Sequence, residues 1–372
     1  MLQLSIVPKI HMFNTFGDFA KEFKIDKHDL LFTHEFIYEP YMKSFELECD
    51  VMFQEKYGTG EPSDIMVNQI LRDKGNKEYK RIIAIGGGSV VDIAKLLAIT
   101  PPSDIVDVYE GAVAPEKTTE LIIVPTTCGT GSEVTNISML FLTEKQTKQG
   151  VANDQLYADH AVLIPELVNS LPYKFFVYSA IDALIHAVES YVSPKANRFT
   201  RMFGGKAIEM ILGGFLRLGK EGPDARFEMM EDFVIAATYA GIAFGNAGCA
   251  AVHAMSYPLG GVYHVPHGEA NYQVFTAVFK EYYRLDPTGR IMDLNKLLAS
   301  ILGCGDGAEV YDALEDALSA LIKRNPLSSY GATEQQAEEW AKSVIERQQR
   351  LLVNNCVPFD EETIFRLYKE LL

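Results

Sequence analysis

The run RIIAIGGGSVVDIAKLLAIT (81–100) constrains the fold more than any other stretch of the chain. RIIAI (81–85) is short and almost wholly apolar, the pattern of a strand buried on both faces. A Gly-Gly-Gly-Ser turn follows at once. VVDIAKLLAIT (90–100) then carries apolar residues at helical spacing until Pro101 and Pro102. LIIVP (121–125) is a second buried strand. Strand, helix and strand in this order predict a parallel sheet built from βαβ units. LLFTH (30–34), read as a strand, and EPSDIMVNQILRDKG (61–75), read as a helix capped by Ser63, carry the alternation toward the N-terminus.

After Pro172 the pattern changes. FFVYSAIDALIHAVESYV (175–192), RMFGGKAIEMILGGFLRL (201–218) and EMMEDFVIAATYAGIAF (228–244) are apolar at helical spacing, and so are later segments. A chain of 372 residues is long for one core. Two domains are expected, an α/β domain over 1–172 and an all-helical domain over 173–372.

Formal net charge is −16, and no run of clustered Lys and Arg occurs, which argues against nucleic acid and anionic membrane surfaces as partners. The start, MLQLSIVPKIHMF, lacks a basic region followed by a long apolar run, and no stretch of about 18 apolar residues predicts a membrane span. The five cysteines, Cys49, Cys128, Cys249, Cys304 and Cys356, are scattered without a CxxC pair. That spacing argues against a disulfide framework or a cysteine zinc site and predicts a cytoplasmic protein.

Two loops carry candidate chemistry. In GGGSVVDIAK (86–95) glycines let a ligand approach the backbone, and the helix start offers free N–H groups and a positive dipole end. A diphosphate suits such a site, although the loop is neither GxGxxG nor a Walker loop. PTTCGTGSEVT (125–135) offers hydroxyls at Thr126, Thr127 and Thr130 after the next strand. Loops at the ends of neighbouring parallel strands share one crevice, where open α/β sheets bind ligands. A tight strand–helix turn is the plainer reading of either loop alone.

The second candidate is polar and helical. Asp182 and His186 sit at i and i+4 in AIDALIHAVES (180–190), so both face one side of a helix. Their neighbours are Ala, Ile, Leu and Val, which predicts burial, and a buried Asp needs a counter-charge or hydrogen bonds. HAMSYPLGGVYHVPH (253–267) places His253, His264 and His267 within fifteen positions of a chain with eight histidines. Pro258, Gly260 and Gly261 are expected to stop a helix there and turn the chain back. Asp182, His186, His253 and His267 make a carboxylate-and-imidazole set suited to Fe(II) or Zn(II), with Glu189 read as support and not as a ligand. Ordinary loop histidines and a core Asp–His hydrogen bond are the plainer readings.

GGGSVVDIAK, PTTCGTGSEVT, DALIHAVESYVS and HAMSYPLGGVYHVPHG together resemble the signature regions of the iron-containing (group III) alcohol dehydrogenases, in order and through nearly the whole chain. The resemblance implies the dehydroquinate synthase-like fold of that family. A dinucleotide-binding α/β domain with a parallel sheet would be followed by an all-α domain for metal and substrate. It implies metal ligands at Asp182, His186, His253 and His267, and NAD(H) contacts at Gly87, Gly88, Ser89, Thr126, Thr127, Thr130, Lys148 and Leu167. IYEPYMK (37–43), SAIDALIHAVESYVSPKA and YPLGGVYHVPHGEANYQ resemble members that act on a 4-hydroxy acid. The implied substrate is a small hydroxy acid or alcohol, with Tyr263 and Asn271 as candidates to meet a carboxylate.

The chain departs from the family pattern at Thr33-His34-Glu35, where an Asp often meets the adenosine ribose, and at Glu61-Pro62-Ser63 in place of Asn-Pro-Thr. Tyr257 stands where many members have another histidine. The catalytic set expected from the resemblance is therefore His267 with Tyr257 or His264 as proton relay. Alternatives of similar architecture are a glycerol or diol dehydrogenase using iron or zinc and a dehydroquinate synthase-like lyase. A non-enzymatic sensor with a dead site is the alternative of another class. LQLSIV (2–7), read as an edge strand, motivates a homodimer or larger homo-oligomer.

Overall fold

Six strands form one parallel sheet in the order β1-β8-β5-β4-β2-β3. They are β1 (Lys9–Met12), β2 (Asp29–Thr33), β3 (Asp50–Phe53), β4 (Arg81–Gly86), β5 (Glu120–Pro125) and β8 (His160–Leu163), while β6 (Ile137–Leu142) and β7 (Thr147–Ala152) pair as an antiparallel hairpin. The molecule is described by a computed structural model over residues 2–58, 60–145 and 147–372. It divides into two compact units, one spanning Ile6–Leu171 and the other formed by Pro172–Leu372 with the chain up to Ser5.

In the α/β unit, β4 and β5 are buried along nearly their whole length because both faces of the sheet are covered. Ile82, Ala84, Leu121 and Ile123 face one core, and Ile83, Ile85, Ile122 and Val124 face the other. That accounts for continuous apolar runs where a half-exposed strand would alternate. The helices of this unit are α1 (Phe16–Phe23), α2 (Glu35–Tyr41), α3 (Asp64–Lys74), α4 (Gly88–Leu97), α5 (Val106–Tyr109) and α6 (Pro165–Val168). The Ser63 hydroxyl caps α3 by accepting the Met66 N–H at 3.2 Å. Helix α4 begins within the glycine run and ends before Ala98, because Ile99 bridges to Lys117 in extended conformation.

The other unit holds α7 (Tyr173–Val192), α8 (Arg198–Glu221), α9 (Met230–Ala247), α10 (Ala251–Tyr263) and α11 (His267–Leu285), followed by α12 (Gly289–Leu302), α13 (Glu309–Ser319), α14 (Glu334–Arg347), α15 (Gln349–Leu352) and α16 (Glu361–Glu370). Among the described residues α7 is long and apolar enough to cross a membrane, but 83% of its apolar window is buried, as a core helix requires.

Two expectations are corrected here. Helix α10 runs through Pro258, Gly260 and Gly261, and the chain turns only at His264, which is left-handed at φ 54°, and Pro266. Proline removes one helical hydrogen bond, and the Tyr368 hydroxyl, donating to the Met255 carbonyl at 2.6 Å, gives the turn before it an outside partner. No strand is formed by 2–7, and β1 and β3 are the edge strands of the sheet. Polar side chains hold that segment instead. Asn246 Oδ1 accepts the Ser5 N–H at 2.7 Å, and Asn197 Nδ2 donates to the Gln3 carbonyl at 2.7 Å.

The sheet also contains a buried ion pair. Arg81 at the start of β4 donates to both carboxylate oxygens of Asp29, at 2.8 and 2.6 Å, and to the carbonyls of Phe23 and Lys24. Arg81→Met leaves Asp29 charged and buried without its partner, so a loss of about 3–5 kcal/mol is expected. A lower denaturant midpoint with an unchanged slope is the check, and Asp29→Leu added to it should recover most of the loss.

Candidate functional site

Asp182 and His186 lie mid-way along α7, His253 lies in the first turn of α10, and His267 is the first residue of α11. One donor atom from each falls within 4.8 Å of all the others. Asp182 Oδ1 is 3.7 Å from His267 Nε2 and 3.8 Å from His253 Nε2, and Asp182 Oδ2 is 3.9 Å from His186 Nδ1. These separations are too long for hydrogen bonds. They suit donors around one divalent ion, since two atoms each bonded at about 2.0–2.2 Å are up to about 4 Å apart. Gly268 permits the approach of α11, because a Cβ there would lie 2.4 Å from the Tyr178 carbonyl oxygen of α7.

Supporting residues orient the donors. Glu189, fully buried one turn beyond His186, accepts the His253 Nδ1 proton at 2.6 Å and the backbone N–H groups of Ala250 and Val252 at 3.0 and 2.6 Å. His253 Nε2 is thereby left as the free lone pair. It is buried without a hydrogen-bond partner among the described residues, which is what a metal-ligating nitrogen needs. The His186 ring stacks between Phe244 and His253, with centroids 4.2 and 4.6 Å away. Asn271, one turn after His267, donates its amide to Asp182 Oδ1 at 2.7 Å and lies 3.2 Å from His267 Nε2. Burial pushes the Asp182 carboxyl up, but the three imidazoles outweigh it and hold its pKa at about 2. An ionised carboxylate with three imidazoles fits Fe(II) or Zn(II).

Tyr257 stands beside this cluster, its ring centroid 6.3 Å from that of His267. His264 is exposed at the turn and outside the cluster. Neither candidate for a substrate carboxylate offers a spare donor. The Tyr263 hydroxyl donates to Gln336 Oε1 at 2.7 Å, and the Asn271 amide is turned to Asp182 and His267.

In the α/β unit the two loops leave adjacent strands at one level, since Gly86 pairs with Pro125 and the Thr126 N–H donates to the Gly86 carbonyl at 3.1 Å. They interlock closely. A Cβ on Gly88 would lie 3.0 Å from Thr130 Cγ2, and one on Gly87 would lie 3.4 Å from Thr127 Cγ2. The Thr127 hydroxyl is buried without a partner among the described residues, and the N-cap of α4 has no side-chain hydrogen bond, so both remain for a ligand. Thr126 is buried, and the Ser89 hydroxyl donates to the Gly60 carbonyl at 3.1 Å. Lys148 pairs with Glu61 at 2.6 Å. Leu167 is 1% exposed and belongs to a core face of the sheet, so its side chain is not presented to a ligand.

Beneath the loops lies a network that the sequence reading passed over. The fully buried Lys95 ammonium donates to Ser132 Oγ at 2.7 Å, Thr135 Oγ1 at 3.2 Å and the Ile137 carbonyl at 2.6 Å, and the Ser132 hydroxyl donates to Asp92 at 3.0 Å. Burial lowers the Lys95 pKa to about 8, with Asp92 and Glu133 opposing. Its only sequence signal is the i, i+3 pair Asp92 and Lys95 in α4. Cys249 was likewise set aside as one of five scattered thiols, yet it packs against His186 and His253.

Residues 6–165 match the family described as iron-containing alcohol dehydrogenase, and residues 176–372 match the C-terminal part of the Fe-containing alcohol dehydrogenase family. The chain is 56% identical over 371 residues to 4-hydroxybutyrate dehydrogenase of Clostridium kluyveri, covering 100% of both chains. It is 35% identical over 309 residues to long-chain-alcohol dehydrogenase 1 of Geobacillus thermodenitrificans, covering 78% of this chain and 75% of that one. Crystal structures of a 1,3-propanediol oxidoreductase (TM-score 0.86, 24% identity, 100% of both chains) and of sulfoacetaldehyde reductase from Bifidobacterium kashiwanohense in complex with NAD+ (TM-score 0.84, 22% identity, 100% and 99%) share the fold.

Glu189→Gln tests the site directly. An amide accepts more weakly than a carboxylate and leaves His253 Nδ1 less firmly held. Affinity for a divalent ion is expected to fall about 10–100-fold, read by competition with a chromogenic chelator.

Proposed function

The chain belongs to the iron-containing alcohol dehydrogenase family, and from that premise we propose that it is a 4-hydroxybutyrate dehydrogenase, interconverting 4-hydroxybutyrate and succinate semialdehyde with NAD(H). The observation that carries the reading is the 56% identity to the Clostridium kluyveri enzyme over the full length of both chains. Asp182, His186, His253 and His267 would hold iron, and the same donor set also accepts zinc. Gly87, Gly88, Ser89, Thr126, Thr127 and Thr130 would hold the dinucleotide, with Lys148 beside them.

When bound, the ion would supply Lewis acidity toward the substrate hydroxyl, and the nicotinamide would supply the hydride acceptor. The protein's part is orientation and proton handling. Asn271 and the three imidazoles keep Asp182 ionised. The His267 side chain, 30% exposed while its companions are buried, marks the open side of the cluster, so substrate approaches there. Tyr257 lies on that side, and we assign its Oη to pass the hydroxyl proton outward. The exposed His264 is the less favoured relay.

Preference for NAD over NADP is supported at the end of β2. Glu55 Oε1 accepts the Glu35 N–H at 3.1 Å and lies 3.0 Å from His34 Nδ1, and burial holds the His34 pKa below its usual value. Two carboxylates there repel a 2′-phosphate. Five free cysteines support a reducing cytoplasm. The exposed Ile10 and Met12 on edge strand β1 support a homodimer or larger homo-oligomer, which light scattering tests.

An anaerobic assay with metal analysis on the same sample tests the function. 4-Hydroxybutyrate and NAD+ should yield NADH faster than glycerol or a diol does, and faster than with NADP+. Net NADH also excludes a lyase that uses NAD only transiently. His267→Ala should lower kcat/KM by about 1,000-fold or more, the loss of several kcal/mol of transition-state stabilisation. Unchanged turnover in that variant would remove the metal assignment.

A further inference from the structure

The second loop of the α/β unit is held at the start of α4 from below. Residues 126–131 belong to no helix or strand. Thr130 lies in that stretch, with its methyl 3.0 Å from where a Cβ on Gly88 would stand. The Ser132 N–H donates to Thr130 Oγ1 at 3.4 Å, so the place of Thr130 depends on that of Ser132. Ser132 is buried and fixed in its turn from α4. Its Oγ accepts from Lys95 Nζ at 2.7 Å, and its hydroxyl donates to Asp92 Oδ1 at 3.0 Å.

Lys95 and Asp92 reach further than this one hydroxyl. Lys95 also donates to Thr135 Oγ1 at 3.2 Å and to the Ile137 carbonyl at 2.6 Å, where β6 begins. Asp92 Oδ2 accepts the Met139 N–H at 3.2 Å, and the Asp92 carbonyl accepts the Ser138 hydroxyl at 3.0 Å. β6 pairs with β7, where Phe141 stands in register with Lys148. One ammonium and one carboxylate on α4 thus hold both the second loop and the hairpin that carries Lys148. A lysine is rarely buried in full, because taking its charge out of water is costly. An apolar side chain would fill the same space without that cost, but it would leave Ser132, Thr135 and Ile137 without a common donor. The ammonium has three protons, and each has an acceptor here.

We propose that Lys95 is a positioning residue for the dinucleotide. Through Ser132 it sets Thr130 against the start of α4, so that the Thr130 hydroxyl and the free N–H groups of the helix serve one diphosphate. Thr130 Oγ1 accepts from Ser132, which leaves its own proton for an acceptor outside the loop. Lys95 lies beneath the loop and acts only through Ser132. The inference rests on the dinucleotide site proposed above.

Titration of the full-length protein with NADH, followed by the fluorescence of the nucleotide, tests it in Lys95→Met, Ser132→Ala and the double variant, each checked for folding by circular dichroism and thermal melting. Lys95→Met is expected to raise the Kd for NADH about tenfold, the low end of what a hydrogen bond to a charged group contributes. Ser132→Ala leaves the ammonium its other two acceptors and is expected to raise Kd by a similar factor. The double variant should lose no more than either single one, because residues that act through one link are not additive. Affinity for a divalent ion, set in the other unit and read by chelator competition, should stay at the wild-type value, which a general loosening of the chain would not leave unmoved. Should Lys95→Met fail to fold, Ser132→Ala decides alone. An unchanged Kd in Ser132→Ala, factors that multiply in the double variant, or a parallel fall in divalent-ion affinity would overturn the positioning role and leave the dinucleotide site standing. A wild type that does not bind NADH would overturn the site and the role together.

Discussion

The Glu189 carboxylate is the interaction on which the helical unit's site depends. It is fully buried on α7. Burial of an ionised carboxylate is costly unless its oxygens are bonded, and three donors from the start of α10 meet it, the N–H groups of Ala250 and Val252 and the ring nitrogen of His253. Helix α10 has no side-chain cap of its own, so Glu189 serves as one and places negative charge at the positive end of the helix dipole. One side chain therefore satisfies a helix terminus, docks α10 on α7, and leaves His253 Nε2 facing Asp182. Fold stability and ligand geometry are the same three hydrogen bonds.

The α/β unit solves a related problem with neutral groups. Its two loops begin level because β4 and β5 pair in register through Gly86 and Pro125. They then pack so closely that a Cβ on Gly88 would crowd Thr130, while one on Gly87 would make ordinary contact with Thr127. Gly88 thus has a cause inside the fold, before any ligand is considered. Below them the buried Lys95 and the half-buried Asp92 share Ser132, which ties α4 to the second loop by hydroxyl and carbonyl acceptors. These side chains are turned to the network, and the α4 N-terminus and the Thr127 hydroxyl remain for an anion.

Local patterns account for what the sequence made legible. The i, i+4 spacing of Asp182 and His186 and their apolar neighbours placed both on the buried face of α7, and the apolar runs of β4 and β5 marked a sheet covered on both sides. What escaped was set by tertiary partners. Pro258 reads as a helix stop, but α10 continues through it, with Tyr368, more than a hundred residues away, bonding the Met255 carbonyl. LQLSIV reads as a strand, but Asn246 and Asn197 take its main-chain groups. Cys249 lies four residues before His253, but Glu189, the third member of their group, comes from another helix. Leu167 was assigned by resemblance alone, and packing put it in the core.

The burial of the four donors is uneven, and that asymmetry bears on how substrate chemistry is arranged. Asp182, His186 and His253 are closed off by α7, α9 and α10, while His267 stands at the head of α11 next to a turn made by His264 and Pro266. Rigid support lies on the Glu189 side, and access lies on the His267 side. A residue that differs on the open side would alter which proton path or substrate is accepted, and Tyr257 is there. A phenol hydroxyl donates one hydrogen bond and accepts another, so it passes a proton along a chain of such bonds without taking up a charge, whereas an imidazole in the same place would titrate near neutral pH. On the proposed mechanism, Tyr257 therefore bears on proton exit and leaves the donor set of Asp182, His186, His253 and His267 unchanged.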